Sequence, residues 1–132
     1  MRILAIDDKG PALKLLTASI AKACPGAKVF PFAKPSELLA FAQDTHYDVA
    51  FLDVGLPGMD GFAVAAELKG RYPRINIIFV TAETNHALKA IEARASGFIT
   101  KPATPEAVGR ELENLRYPVV WKPANQEDNV HG

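Results

Sequence analysis

Five polar residues stand where short apolar runs of the sequence end. Asp7 and Asp8 follow the first run, Asp53 and Thr81 close the third and fourth runs, and Lys101 follows the fifth. In an open parallel sheet, ligands bind outside the carboxyl ends of the strands. Each residue alone has a simpler explanation, as a helix cap or a solvated cation. Their joint occurrence at one edge instead predicts a shared functional site.

These residue types favour phosphoryl transfer to a carboxylate. Three converging acids need a cation or protons to neutralise them, and oxygen ligands with room for water suit Mg²⁺. In this interpretation Asp53 attacks phosphorus, while Asp8 and Asp53 hold the metal and Asp7 orients it through water. Lys101 and Thr81 hold the transferred oxygens. The resulting acyl phosphate would draw the Thr81 hydroxyl toward itself.

The elements that must position these residues are five apolar runs of strand character alternating with five helical patterns. Such alternation predicts an α/β fold with a parallel sheet and helices on both faces. The third and fourth runs are almost continuously apolar, which indicates central strands. The predicted strands cover 3–6, 28–32, 49–52, 75–80 and 97–99, and three helices cover 11–23, 35–42 and 61–72. Two more helices are predicted from apolar stripes, one formed by Leu88, Ile91 and Ala95 and the other by Val108, Leu112 and Leu115. We interpret four apolar helix residues as part of the core: Phe62, Leu68, Leu88 and Ile91.

Composition restricts the classes of function. The 132 residues, 48% of them hydrophobic, suit one globular domain, and 15 basic against 15 acidic residues lack the excess charge that nucleic acid or anionic lipid attracts. The single Cys24 excludes an internal disulfide, no apolar run reaches membrane-spanning length, and we expect a cytoplasmic protein. We predict a domain over 1–117 and a C-terminal tail or linker over 118–132.

Four sequence motifs carry a resemblance to a known family. They are Ile-Asp-Asp at 6–8, Phe-Leu-Asp-Val-Gly-Leu-Pro-Gly-Met-Asp-Gly at 51–61, Phe-Val-Thr-Ala at 79–82 and Gly-Phe-Ile-Thr-Lys-Pro at 97–102. From Arg2 to about Leu115 the chain resembles the receiver domains of two-component response regulators. Its segment from Thr81 to Pro105 resembles most those receivers that are joined to LytTR-type DNA-binding domains.

The resemblance implies a flavodoxin-like doubly wound sheet of five strands in the order 2-1-3-4-5, with five helices. It implies that a sensor histidine kinase or a phosphotransfer protein donates the phosphoryl group, with Mg²⁺ as cofactor. The fourth helix, fifth strand and fifth helix would then switch and contact an effector or form a homodimer. The implied roles are phosphoacceptor for Asp53, acidic pocket for Asp7 and Asp8, switch residues for Thr81 and Phe98, and amine for Lys101, whose bond to Pro102 would be cis.

Two residues depart from the family pattern. Lys9 stands where many relatives carry Glu, which predicts a less acidic pocket and weaker metal binding. Gly55 stands where relatives usually have a larger side chain, although its backbone carbonyl can still ligate the metal. We hypothesise that Gly55 eases access of water and shortens the lifetime of the acyl phosphate.

Two other functions stay open on the sequence alone. A phosphatase of the haloacid dehalogenase type also uses an Asp nucleophile and Mg²⁺, but it needs a second Asp where this chain has Gly55. A receiver that binds partners without phosphorylation is the other alternative, although every expected chemical position is filled. We expect no dedicated enzyme and no direct nucleic-acid or membrane binding. Both a single-domain regulator and a receiver from a longer protein remain compatible with the sequence.

Overall fold

A five-stranded parallel sheet forms the centre of the protein. The computed structural model describes residues 1–43 and 45–121. The sheet order is β2-β1-β3-β4-β5, with every neighbouring pair parallel, as predicted. Its strands are β1 (Arg2–Ile6), β2 (Lys28–Phe32), β3 (Val49–Asp53), β4 (Asn76–Thr81) and β5 (Gly97–Thr100).

Helices connect successive strands and cover both faces of the sheet. They are α1 (Gly10–Ala23), α2 (Pro35–Phe41), α3 (Gly61–Arg71), α4 (Ala87–Glu92), which follows a 3₁₀ turn at Thr84–His86, and α5 (Pro105–Leu112). Local sequence explains two of the starts. The Thr104 side chain accepts a hydrogen bond from the Ala107 N–H, with Pro105 in the first turn of α5. Asp60 caps α3 in the same way through the Ala63 N–H.

The core consists of two apolar layers, one on each face of the sheet. Every residue of β3 and β4 is buried, which agrees with their predicted central position. Helices α2, α3 and α4 pack on one face and α1 and α5 on the other. Successive strand residues point to opposite faces, so Leu4 and Ile6 join the first layer and Ile3 and Ala5 the second. Among the described residues, no helix is long and apolar enough to span a membrane.

The predicted core face of α4 is wrong for Leu88 and Ile91, although Ala95, beyond the end of the helix, does pack against the core. Leu88 and Ile91 are 68% and 72% exposed, whereas Ala90 is buried and Ala93 packs against the core. Both pairs have the i, i+3 spacing of one helix face, and the small alanines occupy the inner one. The prediction assumed that the larger apolar side chains face the core, but side-chain size does not decide the orientation of a six-residue helix.

The segment after α5 is ordered against the domain as far as Trp121. Leu115 and Trp121 are half-buried and pack against the layer formed by α1 and α5. The predicted tail over 118–132 is described only to Trp121, because residues 122–132 lie outside the described part of the chain. The boundary between residues 117 and 118 stays a prediction.

Gly61 lets α3 begin directly against the end of β3. A Cβ atom there would overlap the Asp53 carbonyl oxygen and lie 3.0 Å from the Val54 Cα. The Gly61 N–H also donates to the Val54 carbonyl at 3.2 Å. The missing side chain therefore helps to set the backbone position of Asp53.

We predict that Gly61→Ala lowers the free energy of unfolding by about 2 kcal/mol, because backbone has to move to admit the methyl group. Gly70→Ala in the same helix is the matched control, since nothing lies within 4 Å of its Cβ position. That variant should be more stable than wild type by about 0.5–1 kcal/mol. Urea unfolding measures both, and equal effects of the two substitutions would contradict the explanation.

Candidate functional site

The structure brings the five predicted polar residues to the carboxyl edge of the sheet. Asp53 and Thr81 are the last residues of β3 and β4, Asp7 and Asp8 directly follow β1, and Lys101 directly follows β5. These four strands are adjacent in the order β1-β3-β4-β5. The site therefore follows from strand order together with the residue type at each strand end.

Lys101 joins the two buried carboxylates of the site. Its Nζ lies 2.7 Å from Asp7 Oδ2 and 3.4 Å from Asp53 Oδ1. Asp7 and Asp53 are only 2% and 3% exposed, so water solvates their charges poorly. The ammonium group supplies one positive charge against two carboxylates, so part of their negative charge stays uncompensated.

Backbone groups hold the same side chains in place. The Lys9 N–H donates to Asp7 Oδ1 at 2.9 Å, and the Gly55 N–H donates to Asp53 Oδ1 at 3.3 Å. The Lys101 N–H donates to the Thr81 carbonyl at 2.7 Å, and the Lys101–Pro102 peptide is cis, as the resemblance implied. The carboxylates and the amine are thus oriented by the ends of the strands.

The three acids have the geometry of a divalent-metal site. One carboxylate oxygen from each of Asp7, Asp8 and Asp53 lies within 4.8 Å of the others, and Asp8 is the solvent-exposed member. Asp53 Oδ2 is buried without a hydrogen-bond partner. A hard cation with mixed carboxylate and water ligands fits this oxygen set, because it would offset the excess negative charge of the three acids.

Burial and charge shift two pKa values at the site. Burial and the neighbouring Asp7 charge raise the pKa of Asp53, although Lys101 and the Gly55 N–H act in the opposite direction. Burial alone would lower the pKa of Lys101, but its hydrogen bond to Asp7 and the charges of both aspartates outweigh burial and raise that pKa. Lys101 therefore stays charged, and ionised Asp53 is destabilised until a cation or an electrophile engages it.

The two predicted switch residues lie on adjacent strands next to the site. Thr81 is 4% exposed, and its Oγ1 accepts the Glu83 N–H at 3.2 Å. Phe98 on β5 pairs with Phe79 of β4 and is half-buried against the layer that contains α4. Thr81 thus ends β4 at the site, and Phe98 lies between β5 and the layer that contains α4.

Lys9 forms an ion pair with Asp8. The sequence predicted a less acidic pocket from Lys9 but did not predict this specific contact. The Lys9 Nζ lies 3.6 Å from Asp8 Oδ1, so the exposed member of the acid cluster already has a cation beside it. The adjacency of residues 8 and 9 in the sequence hinted at this ion pair. The sequence does not show, however, in which direction the lysine side chain extends.

Comparison with known proteins identifies the family. The family model described as the response regulator receiver domain matches residues 3–113, so the chain belongs to the response regulator receiver domain family of two-component signalling. Neither a phosphatase nor a phosphorylation-independent receiver is favoured by these matches.

Individual relatives agree with this assignment. The positive alginate biosynthesis regulatory protein of Pseudomonas aeruginosa is 32% identical over 120 residues, which cover 89% of this chain and 48% of that protein. The response regulatory domain of Klebsiella pneumoniae MrkE superposes with a TM-score of 0.77 at 27% identity, covering 87% of this chain and 94% of that one. The BeF₃-activated receiver domain of DrrB from Thermotoga maritima gives 0.74 at 25% identity, covering 85% and 93%. The chain spans about half or less of the length of the curated relatives it matches.

The raised pKa of Asp53 predicts a pH-dependent gain in stability for Asp53→Asn. In metal-free buffer at pH 7 the variant should be more stable than wild type by about 1–2 kcal/mol, because it removes a poorly compensated buried charge. A raised folded-state pKa costs stability above that pKa, so the gain should shrink as the pH falls through it and vanish below the unfolded value of about 3.9.

Urea unfolding in EDTA between pH 7 and pH 3 measures this difference. Glu92→Gln, at an exposed position of α4, is the control and should track wild type at every pH. An Asp53→Asn variant that is less stable than wild type at pH 7 would contradict the electrostatic interpretation.

The Lys9–Asp8 pair predicts that Lys9→Ala binds Mg²⁺ more tightly. The substitution removes the ion-pair partner of Asp8 and a positive charge that repels Mg²⁺. The affinity for Mg²⁺ should therefore rise about two- to fivefold. Lys22→Ala, at the other end of α1, is the control and should leave the affinity unchanged. Titration with Mg²⁺ followed by amide NMR shifts measures both, and an unchanged affinity for Lys9→Ala would refute competition at Asp8.

Proposed function

We propose that Asp53 accepts a phosphoryl group from a sensor histidine kinase or a phosphotransfer protein in the cytoplasm. The observation that carries this proposal is the state of its two oxygens: Oδ1 is held by Gly55 and Lys101, while Oδ2 is buried and has no hydrogen-bond partner. Oδ2 is therefore the nucleophile. With a phosphohistidine donor, an Oδ2–phosphorus bond forms, the phosphorus–nitrogen bond breaks, and its electron pair stays on the imidazole.

The residues that would hold Mg²⁺ are Asp8, Asp53 and the backbone carbonyl of Gly55. Both oxygens of Asp7 already accept hydrogen bonds, from Lys9 and Lys101, which favours contact of Asp7 with the metal through water. A bound Mg²⁺ offsets negative charge on the donor and acceptor oxygens. Asp8 contributes as the exposed ligand, and Gly55 contributes without a side chain that would cover the site.

Lys101 and Thr81 bind the transferred oxygens in this proposal. The Lys101 ammonium, which pairs with Asp7 and Asp53, would also offset part of the negative charge that the phosphoryl group adds. The buried Thr81 hydroxyl supplies a neutral donor from the next strand. The domain thus acts as a phosphoacceptor and not as a dedicated enzyme, and water hydrolyses its acyl phosphate.

The consequence of phosphorylation is a change in the α4–β5–α5 surface, formed by Ala87–Glu92, Gly97–Thr100 and Pro105–Leu112. Thr81 and Phe98 lie on paired strands beneath it. The exposed Leu88 and Ile91 make α4 an apolar part of that surface. An effector domain, an effector protein or a second copy of this chain would bind there, and attachment to a LytTR-type domain stays a prediction.

Acetyl phosphate with Mg²⁺ should add one phosphoryl group to wild type, and Asp53→Asn should abolish the gain in mass. Asp60→Asn is the matched control, because Asp60 is a nearby exposed acid and Asn retains the N-cap. Intact-mass spectrometry measures all three proteins. A phosphoryl adduct that persists in Asp53→Asn would remove Asp53 from its proposed role.

The lifetime of the acyl phosphate should increase in the order Gly55, Gly55→Ala, Gly55→Met. Gly55 is exposed, and nothing lies within 4 Å of its Cβ position, so a side chain fits without moving the backbone. A larger side chain restricts the approach of water to phosphorus. Dephosphorylation followed by mass after removal of acetyl phosphate tests the series, and identical rates would contradict the shielding hypothesis.

A further inference from the structure

Asn76, the first residue of β4, holds the segment that follows α5 against the amino edge of the sheet. Its side chain is fully buried. Oδ1 accepts the Tyr117 N–H at 2.8 Å, and Nδ2 donates to the Tyr117 carbonyl at 2.8 Å. The amide thus pairs with both backbone groups of Tyr117, as a neighbouring strand would.

Ser96, in the loop between α4 and β5, completes this arrangement. Its Oγ–H donates to Asn76 Oδ1 at 2.7 Å, and its Oγ accepts the Arg116 N–H at 3.3 Å. Asn76 Nδ2 also donates to the Asp48 carbonyl at 3.0 Å. All four hydrogen-bonding positions of the Asn76 amide are therefore used, and two of them hold Tyr117. We call Asn76 and Ser96 the exit clamp.

Further contacts cover the outer side of the clamped segment. The Tyr117 ring lies under two cations, with Arg74 Cζ 5.0 Å and Lys69 Nζ 5.5 Å from its centroid. Trp121, the single tryptophan of the chain, is half-buried against the α1 and α5 layer. The segment is thus held at Arg116, Tyr117 and Trp121, and its tryptophan is a fluorescent reporter.

The exit clamp connects to both strands that carry the proposed switch residues. Asn76 begins the strand that ends at Thr81, and Ser96 lies two residues before Phe98. Ser96 directly precedes β5, and its N–H is bonded to the Ile77 carbonyl of β4 at 2.7 Å, so it lies at the junction of the two strands. A shift of α4 and β5 would displace the Ser96 hydroxyl from both Asn76 and Arg116.

We propose that the exit clamp couples phosphorylation at the carboxyl edge to release of Arg116–Trp121 at the amino edge. The inference rests on the proposed function, because it requires the state of Asp53 to shift the positions of α4 and β5. The unphosphorylated state keeps the clamp closed, and the phosphorylated state favours loss of the Ser96 bonds. The segment after α5 is then a second output, separate from the α4–β5–α5 surface.

Amide hydrogen exchange of the full chain, with and without Mg²⁺ and beryllofluoride, tests the coupling. Beryllofluoride stands in for the phosphoryl group, and ¹⁹F NMR reports independently whether it is bound. In wild type, exchange at Arg116 should speed up about fivefold on activation, because its N–H loses the hydrogen bond to Ser96. Exchange at Tyr117 should rise with it as the segment is released. The emission of Trp121 should shift in parallel.

Substitutions at Ser96 separate coupling from folding. Ser96→Ala should already exchange rapidly at Arg116 and show no further increase on activation, whereas Ser96→Thr keeps the hydroxyl and should keep the response. Thr17→Ala is the control, because that exposed hydroxyl bonds only to the Lys14 carbonyl of its own helix.

Two outcomes would overturn the coupling while leaving the proposed function intact. One is bound beryllofluoride with unchanged exchange at Arg116 and Tyr117 in wild type. The other is a Ser96→Ala variant that responds as strongly as wild type. If wild type binds no beryllofluoride, the proposed function fails and the coupling fails with it.

Discussion

The contact of one ammonium group with two buried carboxylates is the constraint on which the site depends. Parallel strands bring Asp7 and Asp53 to the same edge, where burial removes the water that would solvate them. Lys101 compensates part of this charge and leaves Asp53 Oδ2 unpaired. The fold thus keeps a reactive carboxylate in a state that a cation and a phosphoryl group would relieve.

The proposed site and the exit clamp lie at opposite edges of the sheet on the same strands. β4 has Thr81 at its carboxyl end and Asn76 at its amino end, and all of its residues are buried between helices. Packed interiors of this kind move between discrete arrangements and do not deform continuously. A change at one end of β4 and β5 can therefore reach the other end without any flexible connection.

The residues at the carboxyl edge could be predicted from the sequence, whereas the orientation of α4 and the contacts of the exit clamp could not. Asp53 and Thr81 close continuous apolar runs, so the alternation of elements predicts where they lie, and the resemblance supplies the strand order. In α4 two apolar pairs have the same spacing, and packing of Ala90 and Ala93 decides between them. The partners of the Asn76 side chain are 20, 28 and 41 residues away in the chain, separations that no local pattern reports.

A crystal structure of the full chain with Mg²⁺ and beryllofluoride would show whether Asp53 accepts the phosphoryl group beside a bound cation. We expect beryllium bonded to Asp53 Oδ2, with Lys101 and Thr81 contacting its fluorines. We also expect a cation about 2.1 Å from oxygens of Asp8, Asp53 and the Gly55 carbonyl. A cation bound away from Asp8 and Asp53, or a beryllofluoride adduct on another residue, would contradict these roles.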